Sequence, residues 1–125
     1  MRLQESGEMY LETILSLSRQ QNRVRSIDVA EALCVTKPSV SRAVGLLKQG
    51  GYLTADRDGF LFLTDNGREV AERTLERHHV LTEFFLSLGV SPEVADSDAC
   101  KIEHDISDES FEAIKRRVET VKKEV

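Results

Sequence analysis

The chain has 125 residues, of which 40% are hydrophobic and 31% charged, and its formal net charge at pH 7 is −5. This length suits one compact domain or two small ones, and the composition is that of a soluble globular protein. The sequence contains no apolar run near the roughly 18 residues that cross a bilayer and no signal-peptide pattern at its N-terminus. Without an export signal, Cys34 and Cys100 are expected to be reduced. We therefore expect a cytoplasmic protein with no membrane partner.

The charge is unevenly distributed along the chain. From Arg23 to Asp58 there are six basic and four acidic residues, whereas the remainder holds 11 basic and 18 acidic residues. A net charge of −5 alone argues weakly against a nucleic-acid partner. A locally basic segment inside an acidic protein is, however, the asymmetry expected of a DNA-binding half.

Apolar residues at helical spacing predict three helices in the first part of the chain. They run from about Glu5 to Gln20, from Ser26 to Leu33, and from Lys37 to Gly50. Ser26 is the expected N-cap of the second helix. Pro38 suits the first turn of the third, and Gly50-Gly51 is a typical left-handed helix end.

A hairpin follows, with strands Tyr52–Ala55 and Phe60–Thr64 joined by a turn that contains Asp58-Gly59. Two helices separated by a short turn and followed by a hairpin are typical of a winged helix-turn-helix, whose second helix enters the major groove. We predict nine DNA-contacting residues: Arg25, Thr36, Lys37, Pro38, Ser39, Ser41, Arg42, Lys48 and Arg57. Each alone is also ordinary on a solvated surface, so the prediction depends on the series of elements.

Three more helices are predicted in the second part of the chain. They run from Thr64-Asp65 to Gly89, from Ser91 to about Asp105, and from Ser107 towards the C-terminus. Their apolar stripes exceed what one small bundle can bury, which indicates a dimerisation surface. We therefore expect a mainly α protein, with a winged helix-turn-helix DNA-binding domain in residues 1–64 and an all-helical metal-binding and dimerisation domain in residues 65–125.

A thiol, a carboxylate and an imidazole stand at positions i, i+3 and i+4 in Cys100, Glu103 and His104. On a helix these side chains share one face, and together they are typical ligands of a transition metal. The segment alone is equally compatible with a half-buried Cys beside an exposed Glu-His pair.

Further metal-ligand candidates lie on other helices. Met9 and Glu12 are spaced i, i+3 on the first helix, although a helical Met is usually core and a helical Glu is usually solvated. Adjacent helical residues point about 100° apart, so one of His78 and His79 must face solvent. The local sequence does not indicate which of the two does so.

Five stretches in chain order resemble the diphtheria toxin repressor and manganese transport regulator family. They are Glu8–Ile14, Val29–Leu33, Leu63–Arg68, Arg77-His78 and Asp98–His104. The match covers essentially the whole chain, and a Cys-x-x-Glu-His element combined with a Met on the first helix is its specific part. The resemblance implies a metal-activated dimeric transcriptional repressor, in which a winged helix binds operator DNA and a helical domain carries the dimer interface.

The resemblance also implies the ligands of the metal. The activating site would consist of Met9, Cys100, Glu103 and His104, with His78 as the partner from the fourth helix and Glu12 at the same or a second metal. Met9 and Cys100 place sulfur where manganese-type members carry carboxylates, and softer ligands disfavour Mn²⁺ relative to Fe²⁺, Co²⁺, Ni²⁺ or Zn²⁺. We therefore expect Fe²⁺ first and Mn²⁺ second as the physiological ion, with Zn²⁺, Co²⁺ or Ni²⁺ binding in vitro.

Two departures from the longer iron-type members are visible. Thr82 and Asp96 stand where an ancillary metal site would need a carboxylate and a histidine, so we do not expect that site. The chain also ends at Val125, before the SH3-like domain of those members, and therefore resembles the short two-domain form.

A metal that joins ligands from both halves would fix the angle between the winged helix and the dimer core. Two recognition helices would then lie about 34 Å apart, to match a palindromic operator of metal-homeostasis genes.

We expect no catalytic residues and no small-molecule substrate. Two other classes remain open from the residues: a winged-helix regulator that senses a small molecule or oxidation of Cys100, and a zinc hydrolase with Glu103 as base, for which the sequence offers no substrate cleft.

Overall fold

The computed structural model describes residues 5–123, with side chains from residue 6 onward. Within that range it has six helices and two short strands, which confirms the mainly α fold class. They are α1 (Glu5–Gln20), α2 (Ser26–Leu33), α3 (Lys37–Gln49), β1 (Leu53–Ala55), β2 (Leu61–Leu63), α4 (Asp65–Ser87), α5 (Pro92–Ile102) and α6 (Asp108–Lys123). None of the described helices combines the length and apolar character needed to cross a membrane.

The chain divides into two compact units, the first ending at Arg73 and the second beginning at Thr74. The division falls inside α4. The predicted domain ranges 1–64 and 65–125 stay a prediction, and their first four and last two residues lie outside the described part of the chain.

The core of the first unit is built by the apolar stripe of α1 together with apolar residues of α2 and α3. Leu11, Ile14 and Leu15 are spaced i, i+3 and i+4 on α1, and each is at most 1% exposed. Val29 of α2 and Val40 of α3 are fully buried. This burial leaves the opposite face of α3 in solvent, because helical residues four apart share a face.

The turn between α2 and α3 depends on a left-handed residue. Cys34 adopts φ 55° and ψ 44°, and the amide of Val35 donates to the Ala30 carbonyl at 3.1 Å, which closes α2. The Thr36 hydroxyl then accepts from the Ser39 amide at 3.3 Å and caps α3. These contacts set the entry of the predicted recognition helix.

The predicted N-cap at Ser26 is wrong by one residue. Ser26 is already the first residue of α2, and Arg25 occupies the cap with an extended backbone. The Asp28 carboxylate accepts from the Arg25 amide at 2.8 Å. The Asp28 carboxylate, in the first turn of α2, therefore pairs with the Arg25 amide at the helix start. The Ser26 hydroxyl was expected to cap the helix there.

The hairpin is a short antiparallel wing. Leu53 pairs with Leu63 and Ala55 with Leu61. Strand β1 therefore begins one residue later than predicted, and β2 is one residue shorter at each end. At the tip the Asp56 carboxylate accepts from the amide of Asp58 at 3.0 Å. Gly59 supplies the positive φ that this tight turn requires.

The wing joins α4 through a close backbone approach. The Thr64 hydroxyl accepts from the Gly67 amide at 3.1 Å and caps α4, while the Thr64 amide donates to the Tyr52 carbonyl at 3.1 Å. A Cβ on Gly67 would lie 2.0 Å from that carbonyl oxygen. Only glycine fits there, which holds the start of α4 against the base of the wing.

The second unit contains the rest of α4 together with α5 and α6. Its buried apolar side chains include Leu81, Ala95, Ala99, Phe111 and Val118. Two lysines of α6 pair with glutamates of α4, Lys115 with Glu76 at 2.6 Å and Lys122 with Glu83 at 2.8 Å. The Glu76 carboxylate raises the pKa of the Lys115 ammonium above its ordinary value.

Helix α5 ends at Ile102, three residues before the predicted end at Asp105. The backbone nevertheless continues as a turn of helical shape. The amide of Glu103 donates to Ala99 at 2.9 Å, and that of Ile106 donates to Ile102 at 3.0 Å. The helical spacing used for the ligand prediction therefore still applies at Glu103.

We predict that Gly67→Ala lowers the free energy of unfolding by about 1–3 kcal/mol, because the new methyl group meets the backbone of Tyr52. Gly45→Ala is the matched control, since a Cβ at Gly45, in the middle of α3, meets nothing within 4 Å. That change should stabilise the protein by about 0.5–1 kcal/mol through the better helix propensity of alanine. Urea denaturation followed by circular dichroism measures both, and equal effects of the two substitutions would contradict the close approach.

Candidate metal centre and DNA-binding surface

A buried carboxylate lies at the centre of the second unit. Glu103 is 2% exposed. Its Oε2 lies 2.8 Å from Nδ1 of His78, and its Oε1 lies 3.2 Å from Nε2 of His104. The alternative of an exposed Glu-His pair at this position is therefore wrong. Burial of a carboxylate is costly unless neighbouring groups compensate its charge, and here two imidazoles flank it.

The structure resolves the choice between the two adjacent histidines of α4. His78 is 18% exposed at its side chain and points to Glu103, whereas His79 is exposed. The second ring nitrogen of His78, Nε2, lies 2.8 Å from Oδ1 of Asp96. Both ring nitrogens of His78 therefore face carboxylate oxygens, and the tautomer decides which nitrogen donates.

Asp96 is the neighbour of this cluster that the sequence interpretation did not include. It stands on α5, one helical turn before Cys100, with its side chain 69% exposed. The sequence indicates only that Asp96 stands where an ancillary metal site would need a histidine. Helical spacing could have indicated that Asp96 lies near the cluster, since Asp96 and Cys100 are i, i+4 on one helix.

The remaining predicted ligands lie on α5 and α1. Cys100 is in the last turn of α5, half-buried and not in a disulfide. Met9 and Glu12 lie on α1 in the first unit, and both are half-buried. The ligand set of six residues as a whole stays a prediction.

Arg77 braces the turn that carries Glu103 and His104. Its guanidinium donates to the carbonyl of Ile106 at 2.8 Å and to that of Glu103 at 3.3 Å, and it pairs with the carboxylate of Asp108. Its Cζ also lies 5.2 Å from the centre of the Phe111 ring. One side chain thus connects α4 to the end of α5 and the beginning of α6.

The nine predicted DNA-contacting residues are all exposed in the first unit. Lys37, Ser41 and Lys48 are exposed along one side of α3, next to its buried valines. Thr36 and Ser39 share a hydroxyl–hydroxyl contact of 2.8 Å at the start of α3. Their hydroxyls are therefore already part of the helix cap, and contact with DNA would be an additional role.

Comparison with known families assigns both halves of the chain. Residues 2–59 match the family described as "Iron dependent repressor, N-terminal DNA binding domain". Residues 64–124 match "Iron dependent repressor, metal binding and dimerisation domain". The transcriptional regulator MntR of Escherichia coli O6:H1 is 36% identical over 106 residues, which are 85% of this chain and 68% of that protein. The chain belongs to the iron-dependent repressor family.

Other members of the iron-dependent repressor family agree with this assignment. The HTH-type transcriptional regulator MntR of Bacillus subtilis strain 168 is 35% identical over 87% of this chain and 77% of its own length. A solved "Manganese-dependent transcriptional repressor complex with manganese" has a TM-score of 0.82 and 26% identity, and the match covers 90% of this chain. The chain spans about half of that structure, 52%.

Membership in the iron-dependent repressor family confirms the winged helix-turn-helix followed by a helical dimerisation domain. The chain combines a DNA-binding domain with a metal-binding and dimerisation domain, which is the pair expected of a metal-dependent transcriptional regulator. The alternative of a winged-helix regulator without a metal is not favoured, because the second half matches a metal-binding domain.

The residues of the second unit fit a divalent transition metal. Glu103 Oε1 is a buried carboxylate oxygen that accepts no hydrogen bond from the residues the structure describes. Imidazoles flank this carboxylate on both sides, and a thiol lies one helical turn before it on α5. Carboxylate, imidazole and thiolate are together the donors of Fe²⁺, Zn²⁺ and related ions.

We predict that Arg77→Ala lowers the free energy of unfolding by roughly 1–3 kcal/mol, because the carbonyls that it contacts lose a charged donor. Arg68→Ala is the matched control on the same helix, since among residues 6–123 the Arg68 side chain makes only an exposed pair with Glu72 at 3.8 Å. Its loss should cost less than about 0.5 kcal/mol. Chemical denaturation in the presence of chelator measures both variants, and equal stability would contradict the bracing role of Arg77.

Proposed function

We propose that this protein is a homodimeric repressor that binds a palindromic operator when a divalent transition metal is bound, and that it controls genes of metal homeostasis. The observation that carries the proposal is the buried Glu103 carboxylate between two histidines, in a segment that matches a metal-binding domain. The match to a DNA-binding domain supports the operator as its partner.

The proposed ligands in the second unit are His78, Cys100, Glu103 and His104. We propose that Met9 and Glu12 of α1 complete the ligand set. Their support is the i, i+3 spacing on one helix and the half-buried state of both side chains, which is unusual for a glutamate. The family resemblance also implies a sulfur ligand at Met9 and a carboxylate ligand at Glu12.

Two considerations bear on the identity of the metal. Two similar solved structures are described as a manganese-dependent and a manganese-activated repressor, and the first of them is a complex with manganese. The thioether of Met9 and the thiol of Cys100 are, by contrast, soft donors that disfavour Mn²⁺ relative to Fe²⁺. We propose Fe²⁺ as the physiological ion, with Mn²⁺ as the alternative, because the donors belong to this chain itself.

The proposed homodimer has a candidate surface in the second unit. Leu86, near the end of α4, is 42% exposed, Leu88, just after α4, is 64% exposed, and Val94 on α5 is 49% exposed. Contiguous exposed apolar patches typically mark a protein contact, and we propose that these three side chains belong to one. The match to a dimerisation domain supports a second copy of the chain as the partner.

In the proposed mechanism the ligand residues link two parts of the chain. A bound ion would supply a central positive charge and fixed ligand directions. Glu103 and His104 hold their positions through the turn that Arg77 braces, and His78 is oriented by its two carboxylate neighbours. Ordering of α1 by Met9 and Glu12 would then lower the ordering entropy that DNA binding must overcome. A coupling of about 1–3 kcal/mol suffices to change DNA affinity some 5–150-fold.

The proposed regulator acts in the cytoplasm and is not an enzyme. Support for both comes from its relatives, which are transcriptional regulators. Such proteins act where the chromosome is, and regulation requires binding rather than turnover of a substrate.

We predict that the protein binds a labelled palindromic promoter fragment tightly with Fe²⁺ or Mn²⁺ and weakly with chelator. Anaerobic fluorescence anisotropy should show a gain of about 5–150-fold on metal addition. Cys100→Ser should lose most of this gain. Cys34→Ser is the matched control, because Cys34 is an exposed thiol in the turn before α3, and it should keep the gain. Equal affinity in chelator and in metal would contradict the proposed switch.

We further predict that His78→Ala weakens metal binding by at least tenfold or so, since even indirect partners of ligands typically contribute that much. His79→Ala removes the adjacent, exposed imidazole and should leave the metal dissociation constant unchanged. Competition with a metallochromic indicator measures both without DNA. Similar losses in the two variants would mean that general destabilisation of α4, and not a ligand, explains the effect.

A further inference from the structure

Two arginines share one aromatic ring beside the wing. The Cζ of Arg25 lies 4.3 Å from the centre of the Phe60 ring, and that of Arg23 lies 4.9 Å from it. Both distances are within the range of a cation–π interaction. Phe60 is half-buried, whereas both arginines are exposed.

The backbone explains why both arginines reach the same ring. Arg25 and Phe60 form an antiparallel bridge, and the amide of Leu61 donates to the Val24 carbonyl at 2.8 Å. Residues 23–25 therefore extend along the wing like a short strand. Successive side chains of a strand alternate in direction, so Val24 is buried at 2% exposure while its two neighbours point outward together.

No acidic side chain of residues 6–123 compensates the charges of this cluster. Neither Arg23 nor Arg25 has an acidic side chain within ion-pair distance among residues 6–123. The Asp28 carboxylate contacts the backbone amide of Arg25 and not its guanidinium. Two guanidinium groups on one ring repel each other, and an anion between or beside them would relieve that repulsion.

We propose that Arg23 and Arg25, stacked on Phe60, form a clamp for a backbone phosphate of operator DNA; the proposal deepens the DNA-binding function proposed above. A guanidinium presents a planar set of donors that matches a phosphate bidentately. Stacking on a half-buried ring restricts the rotamers of both side chains before DNA arrives, which reduces the entropy lost on binding. The clamp adds Arg23 and Phe60 to the predicted interface and gives Arg25 a defined partner.

DNA fits this site better than a small phosphate or an acidic peptide. The cluster lies in the segment that matches a DNA-binding domain. The same first unit exposes further cations on α3 and at the tip of the wing, Lys37, Arg42, Lys48 and Arg57. A polymer with regularly spaced phosphates can engage several of these at once. Phosphate contacts fix the register of a protein on the duplex but do not read sequence.

The test measures the salt dependence of DNA binding by anisotropy, with the metal-loaded protein, the operator fragment and a scrambled duplex of equal length. Each phosphate contact contributes about −0.9 to the slope of log K against log salt for duplex DNA. Arg23→Ala should therefore make the slope shallower by about 1 on both duplexes and weaken binding to both by a similar factor. Arg116→Ala, an exposed arginine on α6, is the control for the same change in net charge, and it should leave the slope unchanged.

Two further variants separate charge from stacking. Arg23→Lys keeps a cation, so it should retain the slope while losing part of the affinity. Phe60→Leu keeps both arginines but removes the ring, so affinity should fall with little change of slope. Thermal unfolding monitored by circular dichroism identifies any variant that fails to fold. If Arg23→Ala fails to fold, Arg23→Gln takes its place in the slope measurement.

Several results would overturn the clamp. The first is a slope of log K against log salt that is equal for Arg23→Ala and Arg116→Ala. The second is a loss of affinity in Arg23→Ala for the operator but not for the scrambled duplex, which would indicate base readout. If the wild type binds both duplexes without any requirement for metal, the proposed switch fails but the slopes still decide the clamp. If the wild type binds neither duplex even at low salt, both proposals fail. Binding of inorganic phosphate alone, with no change in DNA slope, would assign the cluster to a small anion instead.

Discussion

The second unit depends on the compensation of one buried charge. Glu103 places a carboxylate in an interior where an isolated ion would be strongly unfavourable, and the imidazoles of His78 and His104 offset that cost. The requirement ties α4 to the end of α5, because α4 supplies His78 and the turn after α5 supplies Glu103 and His104. Groups suited to metal binding thereby also hold the fold of this unit together. An apolar residue in place of Glu103 would remove a contact of both histidines.

The same arrangement relates metal binding to folding. A carboxylate that is already buried between imidazoles does not have to be dehydrated when a cation arrives, because folding has done this beforehand. Arg77 contributes from the other side by holding the backbone of the ligand-bearing turn through two carbonyls. The ligands are thus positioned by contacts that do not involve their own donor atoms, which is how metal affinity is usually tuned.

Much of this molecule was accessible from the sequence, because its local signals agree with one another. The spacing of Leu11, Ile14 and Leu15 predicts α1, and Thr36 with Pro38 predicts the start of α3. The cap at Ser26 was misplaced because the carboxylate of Asp28 reaches the same region of backbone, and residue preference alone does not decide between them. The end of α5 was placed too late, since a turn of helical shape continues the pattern after the helix.

The candidate site was less accessible, since it depends on contacts between distant segments. Helical spacing placed Cys100, Glu103 and His104 together, but only the packing of α4 separates His78 from His79. The contact of Asp96 with His78 and the stacking of Arg23 on Phe60 join residues 18 and 37 positions apart. No local pattern predicts such pairs, because they depend on how the elements pack and on the pairing of residues 23–25 with the wing.

The two ion pairs between α4 and α6 have a consequence for the geometry of this unit. Glu76 and Glu83 are seven residues apart, and so are their partners Lys115 and Lys122. An equal step on both helices means that they run side by side in the same direction for two turns, with the heptad register of a parallel coiled coil. Exposed pairs of this kind contribute little stability, about 0–1 kcal/mol each. Their effect is to fix the register between α4 and α6. One residue inserted between Lys115 and Lys122 would rotate Lys122 by about 100° around the helix axis and separate it from Glu83.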